Sequence, residues 1–307
     1  MPVEVGIVGL PGAGKTTLFN ALTRAGANVH EAKPHVGMAP IADERLGRVA
    51  AVEGSPKVTA AQIRVQDVPG SGAAMLGNLR RTDALLAVLD AFSPGAEASR
   101  DLEALRLELL VADRDHVDRR LERVRTQAKS GAAELRREAD ELTALLAHLD
   151  GGGTIAEYGG PASDALEPLT IKPLVAVENG ASGIDLAFEA ELAELPEEEA
   201  AGFREGPSAL ESIVRDLRDA LGLVTFFTAG EQEARAWLLG RGGTALEAAG
   251  EVHTDLARGF IRCEVIPAAD LVECGSRAEA ARRGLQRLEG KDYVVEDGDV
   301  LHIRFAL

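Results

Sequence analysis

Hydrophobic positions along this chain follow three rules, and each predicts a different element. In Val5-Gly6-Ile7-Val8, Asp83-Ala84-Leu85-Leu86-Ala87-Val88-Leu89-Asp90 and Lys172-Pro173-Leu174-Val175-Ala176-Val177 the apolar residues run almost without interruption. Runs of that length are expected of interior strands in a parallel sheet, where both faces are covered. Ala61-Gln62-Ile63-Arg64-Val65-Gln66-Asp67 alternates instead, which predicts a strand with one covered face. From Ser99 to Leu149 the spacing becomes three and four residues, at Leu102, Leu105, Leu109, Val117, Leu121, Val124, Leu135, Leu142, Leu145 and Leu149. That period predicts two antiparallel helices packed on each other, with a turn at Lys129-Ser130-Gly131 where it slips. A short helix is expected near Asp43 to Val52, and Gly151-Gly152-Gly153 with Gly159-Gly160-Pro161 marks an exposed linker.

From about Leu223 the texture changes again. Val224-Thr225-Phe226-Phe227-Thr228 and Ala234-Arg235-Ala236-Trp237-Leu238-Leu239 read as two strands joined by a short turn. Thr244 with Glu247, and Ser276 with Glu279, are capping pairs that open two helices, and Phe260 to Ile266 is a strand between them. Tyr293-Val294-Val295 is expected to pair with Val300-Leu301-His302-Ile303 across Glu296-Asp297-Gly298-Asp299. Strand, strand, helix, strand, helix, hairpin is the order of a ubiquitin-like β-grasp.

Composition narrows the class without naming a chemistry. The chain of 307 residues is long for one core, so two or three units are expected. With 46% hydrophobic, 27% charged and only 4% aromatic residues it reads as globular, its core left to Leu, Val and Ala. No apolar run reaches membrane-spanning length and Met1-Pro2-Val3-Glu4 carries no basic leader, so a cytoplasmic protein without a membrane partner is expected. A formal charge of −17 opposes broad attraction to DNA, RNA or anionic lipid. No DNA partner is expected, and any RNA contact must be local. Cys263 and Cys274 form neither a disulfide framework nor a metal motif by spacing.

The chemistry enters at Gly9-Leu10-Pro11-Gly12-Ala13-Gly14-Lys15-Thr16-Thr17, which fits the phosphate-binding pattern G-x-x-x-x-G-K-S/T between a strand and a helix from Thr16 to about Arg24. Glycines free to take positive φ let a loop of this length turn several N–H groups inward around a phosphate. Lys15 adds a charge for the β- and γ-phosphates, and Thr16 puts a hydroxyl where Mg²⁺ would sit. The helix points its positive dipole end at the same anion. Asp67-Val68-Pro69-Gly70 follows the alternating strand. In GTPase-like proteins that second element holds Mg²⁺ through its aspartate, here Asp67, and senses the γ-phosphate through its glycine amide, here Gly70. The same glycine-lysine loop also suits small-molecule or nucleotide kinases, a reading that the D-x-x-G element argues against.

Taken together, Gly6-Ile7-Val8-Gly9-Leu10-Pro11, Leu18-Phe19-Asn20-Ala21-Leu22-Thr23, Pro34-His35-Val36-Gly37, Gln127-Ala128-Lys129-Ser130-Gly131, Phe227-Thr228-Ala229-Gly230, Val252-His253-Thr254-Asp255, Cys274-Gly275-Ser276 and Leu288-Glu289-Gly290-Lys291-Asp292-Tyr293 resemble the YchF group of Obg-related P-loop NTPases. The resemblance implies an α/β fold. Its parts are a P-loop NTPase (GTPase-like) sheet domain at 1–98 and 170–222, an inserted antiparallel helical hairpin and linker at 99–169, and a C-terminal β-grasp (TGS) domain at 223–307. It implies hydrolysis of ATP in preference to GTP, and association with ribosomes or stress responses. Nucleotide-binding positions carried over or read from the motif are Gly9, Pro11, Gly12, Ala13, Gly14, Lys15, Thr16, Thr17, Gly70 and Asn179, with Thr16 and Asp67 for the metal.

The departures from the family pattern fall at the moving parts. Where the resemblance implies a Mg²⁺-ligating threonine before Pro34, this chain has Glu31-Ala32-Lys33. The segment after Gly70 is short, from Ser71-Gly72 almost directly to Leu76-Gly77-Asn78, and the family's histidine there has no counterpart. Slow hydrolysis is therefore expected unless a partner supplies a water-positioning group. At the base-reading loop the family has Asn-x-x-Glu, while Asn179-Gly180-Ala181-Ser182 keeps only the asparagine, so guanine selectivity should be poor. The expected activity is Mg²⁺-dependent binding and slow hydrolysis of ATP or GTP, with ribosome or structured RNA as partner through the hairpin and β-grasp parts. A catalytically degenerate, nucleotide-gated interaction protein is the alternative. Arg119, Arg120, Arg123, Arg125, Arg136 and Arg137 on the hairpin, and Arg277, Arg282, Arg283, Arg287 and Lys291 near the C-terminus, are open to two readings: an RNA-facing patch or a solvated charged face.

Overall fold

A computed structural model describes residues 3–27, 33–68, 73–129, 132–161, 166–204, 206 and 208–306. Two compact units emerge, one built from Val3–Gly37 and Arg64–Glu205, the other from Met38–Ile63 and Gly206–Leu307. In chain order the elements are β1 (Glu4–Val8), α1 (Lys15–Thr23), β2 (His35–Ile41), α2 (Glu44–Glu53), β3 (Lys57–Thr59), β4 (Ala61–Asp67), α3 (Ala73–Asn78), β5 (Ala84–Asp90), α4 (Ala98–Ala128) and α5 (Ala133–Asp150). There follow β6 (Leu174–Asn179), α6 (Leu186–Ala193), α7 (Glu197–Phe203), α8 (Ala209–Ala220), β7 (Leu223–Ala229), β8 (Glu233–Gly240), α9 (Ala245–Val252), α10 (Thr254–Arg258), β9 (Phe260–Pro267), α11 (Ala268–Cys274), α12 (Arg277–Arg282), β10 (Arg287–Glu289) and β11 (Asp299–Phe305).

The five-stranded sheet has the order β2-β4-β1-β5-β6, and β1 pairs in parallel with both β4 and β5, as β5 does with β6. Patterning and position agree for β1, β4 and β5 but not for β6, whose apolar run was expected inside the sheet and stands at its edge, paired only with β5 and with Val177 its one buried residue. β1 and β5, the uninterrupted runs, are interior strands whose Val5, Ile7, Val8, Leu85, Leu86, Ala87 and Val88 are fully buried. β4 buries alternate residues, Ala61, Ile63, Val65 and Asp67, as its alternation predicts. Because all these strands run the same way, the loops after β1, β4, β5 and β6 gather at one end of the sheet, where such folds bind ligands.

α4 and α5 form the expected hairpin, and α4 changes partners along its length. Its early residues Leu105, Leu109 and Ala112 join a cluster with Val8, Val68, Met75, Leu76, Leu79, Leu85, Ala87 and Leu89 of the sheet and α3. Its later residues Val117, Leu121 and Val124 pack instead on Leu142, Leu145 and Leu149 of α5. At the changeover Asp113 is fully buried and accepts from Arg80 Nη1 at 2.6 Å, Leu169 N at 2.9 Å, Thr170 N at 2.9 Å and Thr170 Oγ1 at 2.8 Å. A buried carboxylate is tolerated there because every lone pair has a donor. The turn residues Ser130 and Gly131 lie outside the described residues.

The second unit holds a mixed sheet in the order β10-β9-β11-β7-β8-β3. β7 and β8 make the expected hairpin, β11 lies parallel to β7 and antiparallel to β9, and α9 covers the face carrying Phe226, Leu239, Cys263, Val265 and Leu301. That strand order, first and last strands adjacent and parallel, is a β-grasp, with β3 added at one edge. Both capping pairs form: Glu247 N donates to Thr244 Oγ1 and Glu279 N to Ser276 Oγ.

The expected hairpin between Tyr293-Val294-Val295 and Val300-Leu301-His302-Ile303 is not there. Residues 293–295 instead run beside the start of α9, where Ala245 N donates to Tyr293 O at 2.8 Å and Val295 N to Gly243 O at 2.9 Å. The turn is held to β7: Thr225 N donates to Asp297 Oδ1 at 2.9 Å and Gly298 N to Thr225 O at 2.8 Å. β10, α10 and α11 were not visible in the apolar spacing, being three, five and seven residues long.

Candidate functional site

The loop from Gly9 to Gly14 joins β1 to α1, and its conformation explains its glycines. Gly9, Gly12 and Gly14 have φ of 148°, 84° and 104°. At Gly14 a side chain is excluded twice over, since a Cβ would stand 2.5 Å from Asn179 Nδ2. Pro11 and Gly12 are exposed at the loop's crest, Ala13 is buried, and Lys15, Thr16 and Thr17 are half-buried in the first turn of α1. Among the described residues no side chain caps this helix and none in its first turn is acidic. The first N–H groups of this nine-residue helix, at its positive dipole end, are thus left without a side-chain acceptor among the described residues, an arrangement suited to binding an anion.

Lys15 turns back over the loop, its Nζ donating to Gly9 O at 2.9 Å and Leu10 O at 3.0 Å. Burial holds its pKa below the ordinary lysine value, while the carboxylates of Asp67 and Glu108 pull the other way. Thr16 Oγ1 donates to Asp67 Oδ2 at 2.6 Å, and His35 Nδ1 stands 3.8 Å from the same oxygen. Asp67 is 1% exposed.

The donor set fits Mg²⁺. A hydroxyl and a buried carboxylate converge at the P-loop, both hard oxygen ligands. Among the described residues no group of three His, Cys, Asp or Glu could hold a metal by itself. A cation here would complete its shell with phosphate oxygens and water, which is how Mg²⁺ is bound beside nucleotides. Gly70, with Ser71, and Glu31 lie outside the described residues.

Across the loop, Asn179 at the end of β6 has its amide engaged within the protein. Its Nδ2 donates to Ala13 O at 2.9 Å and its Oδ1 accepts from Leu186 N at 3.3 Å, so it ties the phosphate loop to α6. The next turn is short and closed: Ile184 N donates to Glu178 O at 2.8 Å, and Asp185 caps α6 by accepting from Phe188 N at 3.0 Å. Gly180 has φ of 152°, and a Cβ there would meet Ala91 O at 2.4 Å. Ser182 is exposed, and the one carboxylate of this turn, Asp185, is committed to the cap. Sequence reasoning passed over Phe92, just beyond β5, which is 56% exposed and whose backbone nitrogen lies against Gly180. An aromatic left exposed where two strand ends meet, in a chain with few aromatics, was the available signal.

Of the arginines open to two readings, most have partners within the chain. Arg120 reaches Glu138 at 2.6 Å, Arg125 reaches Thr143 Oγ1 at 3.1 Å, and the Nε of Arg119 and Arg123 donate to carbonyls one turn back. Arg277 pairs with Glu53 at 2.9 Å, Arg282 and Arg283 with Glu279, and Arg287 lies over the Tyr293 ring. These contacts favour the solvated charged face.

Known proteins share this arrangement. A family profile described as a 50S ribosome-binding GTPase matches residues 4–129. A YchF GTPase C-terminal profile, described as a protein of unknown function, matches residues 223–306. The ribosome-binding ATPase YchF of Haemophilus ducreyi is 34% identical over 362 positions, covering 99% of this chain and 99% of its own. The ribosome-binding ATPase YchF of Bacillus subtilis is 33% identical over 364 positions, covering 99% and 100%. The structure of the Schizosaccharomyces pombe YchF GTPase is similar with a TM-score of 0.79 and 25% identity, over 98% of this chain and 97% of that one. Both sequence alignments are longer than the 307 residues of this chain, so those relatives carry segments that it lacks.

Proposed function

This chain belongs to the YchF family of P-loop NTPases, and on that footing we propose that it binds a Mg²⁺-nucleoside triphosphate at Gly9, Pro11, Gly12, Ala13, Gly14, Lys15, Thr16 and Thr17 and hydrolyses it slowly. The observation that carries the reading is the convergence of Lys15, Thr16 and buried Asp67 at an uncapped helix start. Loop N–H groups and Lys15 take the β- and γ-phosphates; Thr16 and Asp67 hold the metal. Bound there, Mg²⁺ supplies charge neutralisation of the phosphates. Gly70 senses the γ-phosphate, a role that falls outside the described residues.

At the base end, Asn179 acts as a brace for the phosphate loop, and Phe92 offers a flat apolar face to a purine. With Ser182 in place of a carboxylate and Asp185 committed to the α6 cap, neither residue of this turn accepts from the ring N–H groups that distinguish guanine. The base is therefore held by stacking, and ATP and GTP are both substrates, with ATP the physiological one, as in the names of the relatives. The ribosome is the partner, reached through the helical hairpin at 99–169 and the TGS-like part at 223–307. The protein works in the cytoplasm; among the described residues no helix is long and apolar enough to cross a membrane.

Calorimetric titration with ATP, GTP and ADP, with and without Mg²⁺, tests the reading. Binding that needs Mg²⁺ and weakens by about 100-fold in Lys15→Ala is expected; no binding to the natural chain, or equal binding to the variant, would refute it. Cosedimentation of the intact chain with ribosomes, in ATP and in ADP, tests the partner.

A further inference from the structure

The oxygens that converge at the phosphate loop have a nitrogen beside them. His35 opens β2, which lies next to β4 in the sheet, and its Nδ1 stands 3.8 Å from Asp67 Oδ2, the oxygen that accepts from the Thr16 hydroxyl at 2.6 Å. A hydroxyl and an imidazole thus gather around one carboxylate oxygen. The imidazole is held there by α1. Its ring packs on that of fully buried Phe19, with centroids 5.9 Å apart and planes inclined by 35°. Two residues further on, Gly37 lets β2 lie close against α1, since a Cβ there would stand 2.6 Å from Thr23 Cβ. With 13% of its side chain exposed, His35 belongs to the interior of the site and not to its rim.

We infer that His35 is a ligand of the metal ion that accompanies the nucleotide, which makes the site selective for a divalent ion that accepts nitrogen. The inference deepens the nucleotide-binding reading above and rests on it. Neighbouring donors on an octahedral ion with bonds of about 2.1 Å stand roughly 3 Å apart, so the imidazole has less than about 1 Å to close. Mg²⁺, a hard ion, is held here by Thr16, Asp67 and phosphate oxygens, and gains little from the nitrogen. Mn²⁺, Fe²⁺ and Co²⁺ take oxygen and imidazole donors together and bind more tightly where both are offered. Nucleotide affinity thereby depends on which ion comes with it, and the residue that sets the dependence lies on β2, outside both phosphate-side motifs.

Mn²⁺ is the probe, because its unpaired electrons report the nuclei bonded to it. The intact chain, grown with histidine carrying the heavy nitrogen isotope, is saturated with Mn²⁺ and an ATP analogue that has a methylene group between its β- and γ-phosphorus, and read by pulsed electron paramagnetic resonance. The expected spectrum shows a directly bonded nitrogen that follows the histidine label and disappears in His35→Asn. By calorimetry, Mn²⁺ should bind the His35→Asn complex about tenfold more weakly than the natural one, with Mg²⁺ affinity kept within about twofold. No histidine nitrogen on Mn²⁺, or a nitrogen that survives in His35→Asn, would overturn the inference. Equal losses of Mn²⁺ and Mg²⁺ affinity in the variant would also overturn it, marking His35 as a support for Asp67. The labelled natural chain gives its answer even if the variant fails to fold. Absence of nucleotide binding with either ion would bring down the nucleotide reading and this inference together, whereas Mg²⁺-nucleotide binding with no histidine nitrogen on Mn²⁺ would bring down this one alone.

Discussion

The phosphate end and the base end of the nucleotide site differ in where their polar groups point. At the phosphate end the first N–H groups of α1 have no side-chain acceptor among the described residues, Lys15 rests on two loop carbonyls, and Thr16 and Asp67 share one short hydrogen bond. Those contacts can be exchanged for phosphate and metal without unfolding anything. At the base end Asn179, Gly180 and Asp185 are bound to Ala13, Ile184 and Phe188 of the protein itself. The difference teaches that one end is organised around a ligand and the other around the loop, so affinity should come from phosphates and little selectivity from the base.

Four substitutions probe that contrast. Lys15→Ala removes the charge at the phosphate end and should weaken ATP and GTP alike by about 100-fold, roughly 3 kcal/mol, in calorimetry. Asn179→Ala should cost about tenfold for both nucleotides, because its loss frees the phosphate loop; a loss confined to GTP would make it a base reader after all. Phe92→Ala should lower affinity for nucleoside triphosphates by about fivefold to tenfold and leave inorganic tripolyphosphate unaffected, if the ring stacks on the base. Smallest of all, Ser182→Glu should shift the GTP to ATP ratio by no more than about threefold, since the closed turn after Asn179 leaves the new carboxylate poorly placed.

The same contrast marks what the sequence could disclose. The phosphate end was legible because its chemistry is contiguous: nine residues carry the loop, and the strand before and helix after are written in the adjacent apolar spacing. Thr16 and Asp67 lie far apart in the chain, yet a second motif announced the aspartate. Phe92 had no such announcement. It stands beside the end of β6 only because β5 and β6 pair in parallel, and nothing local to it differs from an ordinary loop residue. Asn179 was expected from a base-reading motif, and the structure adds what a motif does not report, the hydrogen bonds of its amide to Ala13 and Leu186.

The two sheets repeat the lesson. β1 and β5 could be assigned from uninterrupted apolar runs, but the same kind of run in β6 belongs to an edge strand, so such a run marks a strand of the parallel sheet without fixing its place in the order. In the β-grasp, β11 has the alternation of a hairpin partner for Tyr293-Val294-Val295, but its neighbours are β7 and β9. Alternation fixes which face of a strand is covered and is silent on which strand lies beside it. The turn at Asp297 settles the matter by binding Thr225, a contact no spacing rule contains.

The central claim, that this site grips phosphate and scarcely reads the base, is tested most directly by titrating the intact chain with Mg²⁺-ATP, Mg²⁺-GTP and Mg²⁺-tripolyphosphate under one set of conditions. The account predicts dissociation constants for ATP and GTP within about tenfold of each other, with tripolyphosphate retaining most of the binding free energy. A preference for either base above about 100-fold, or no measurable binding of tripolyphosphate, would contradict it.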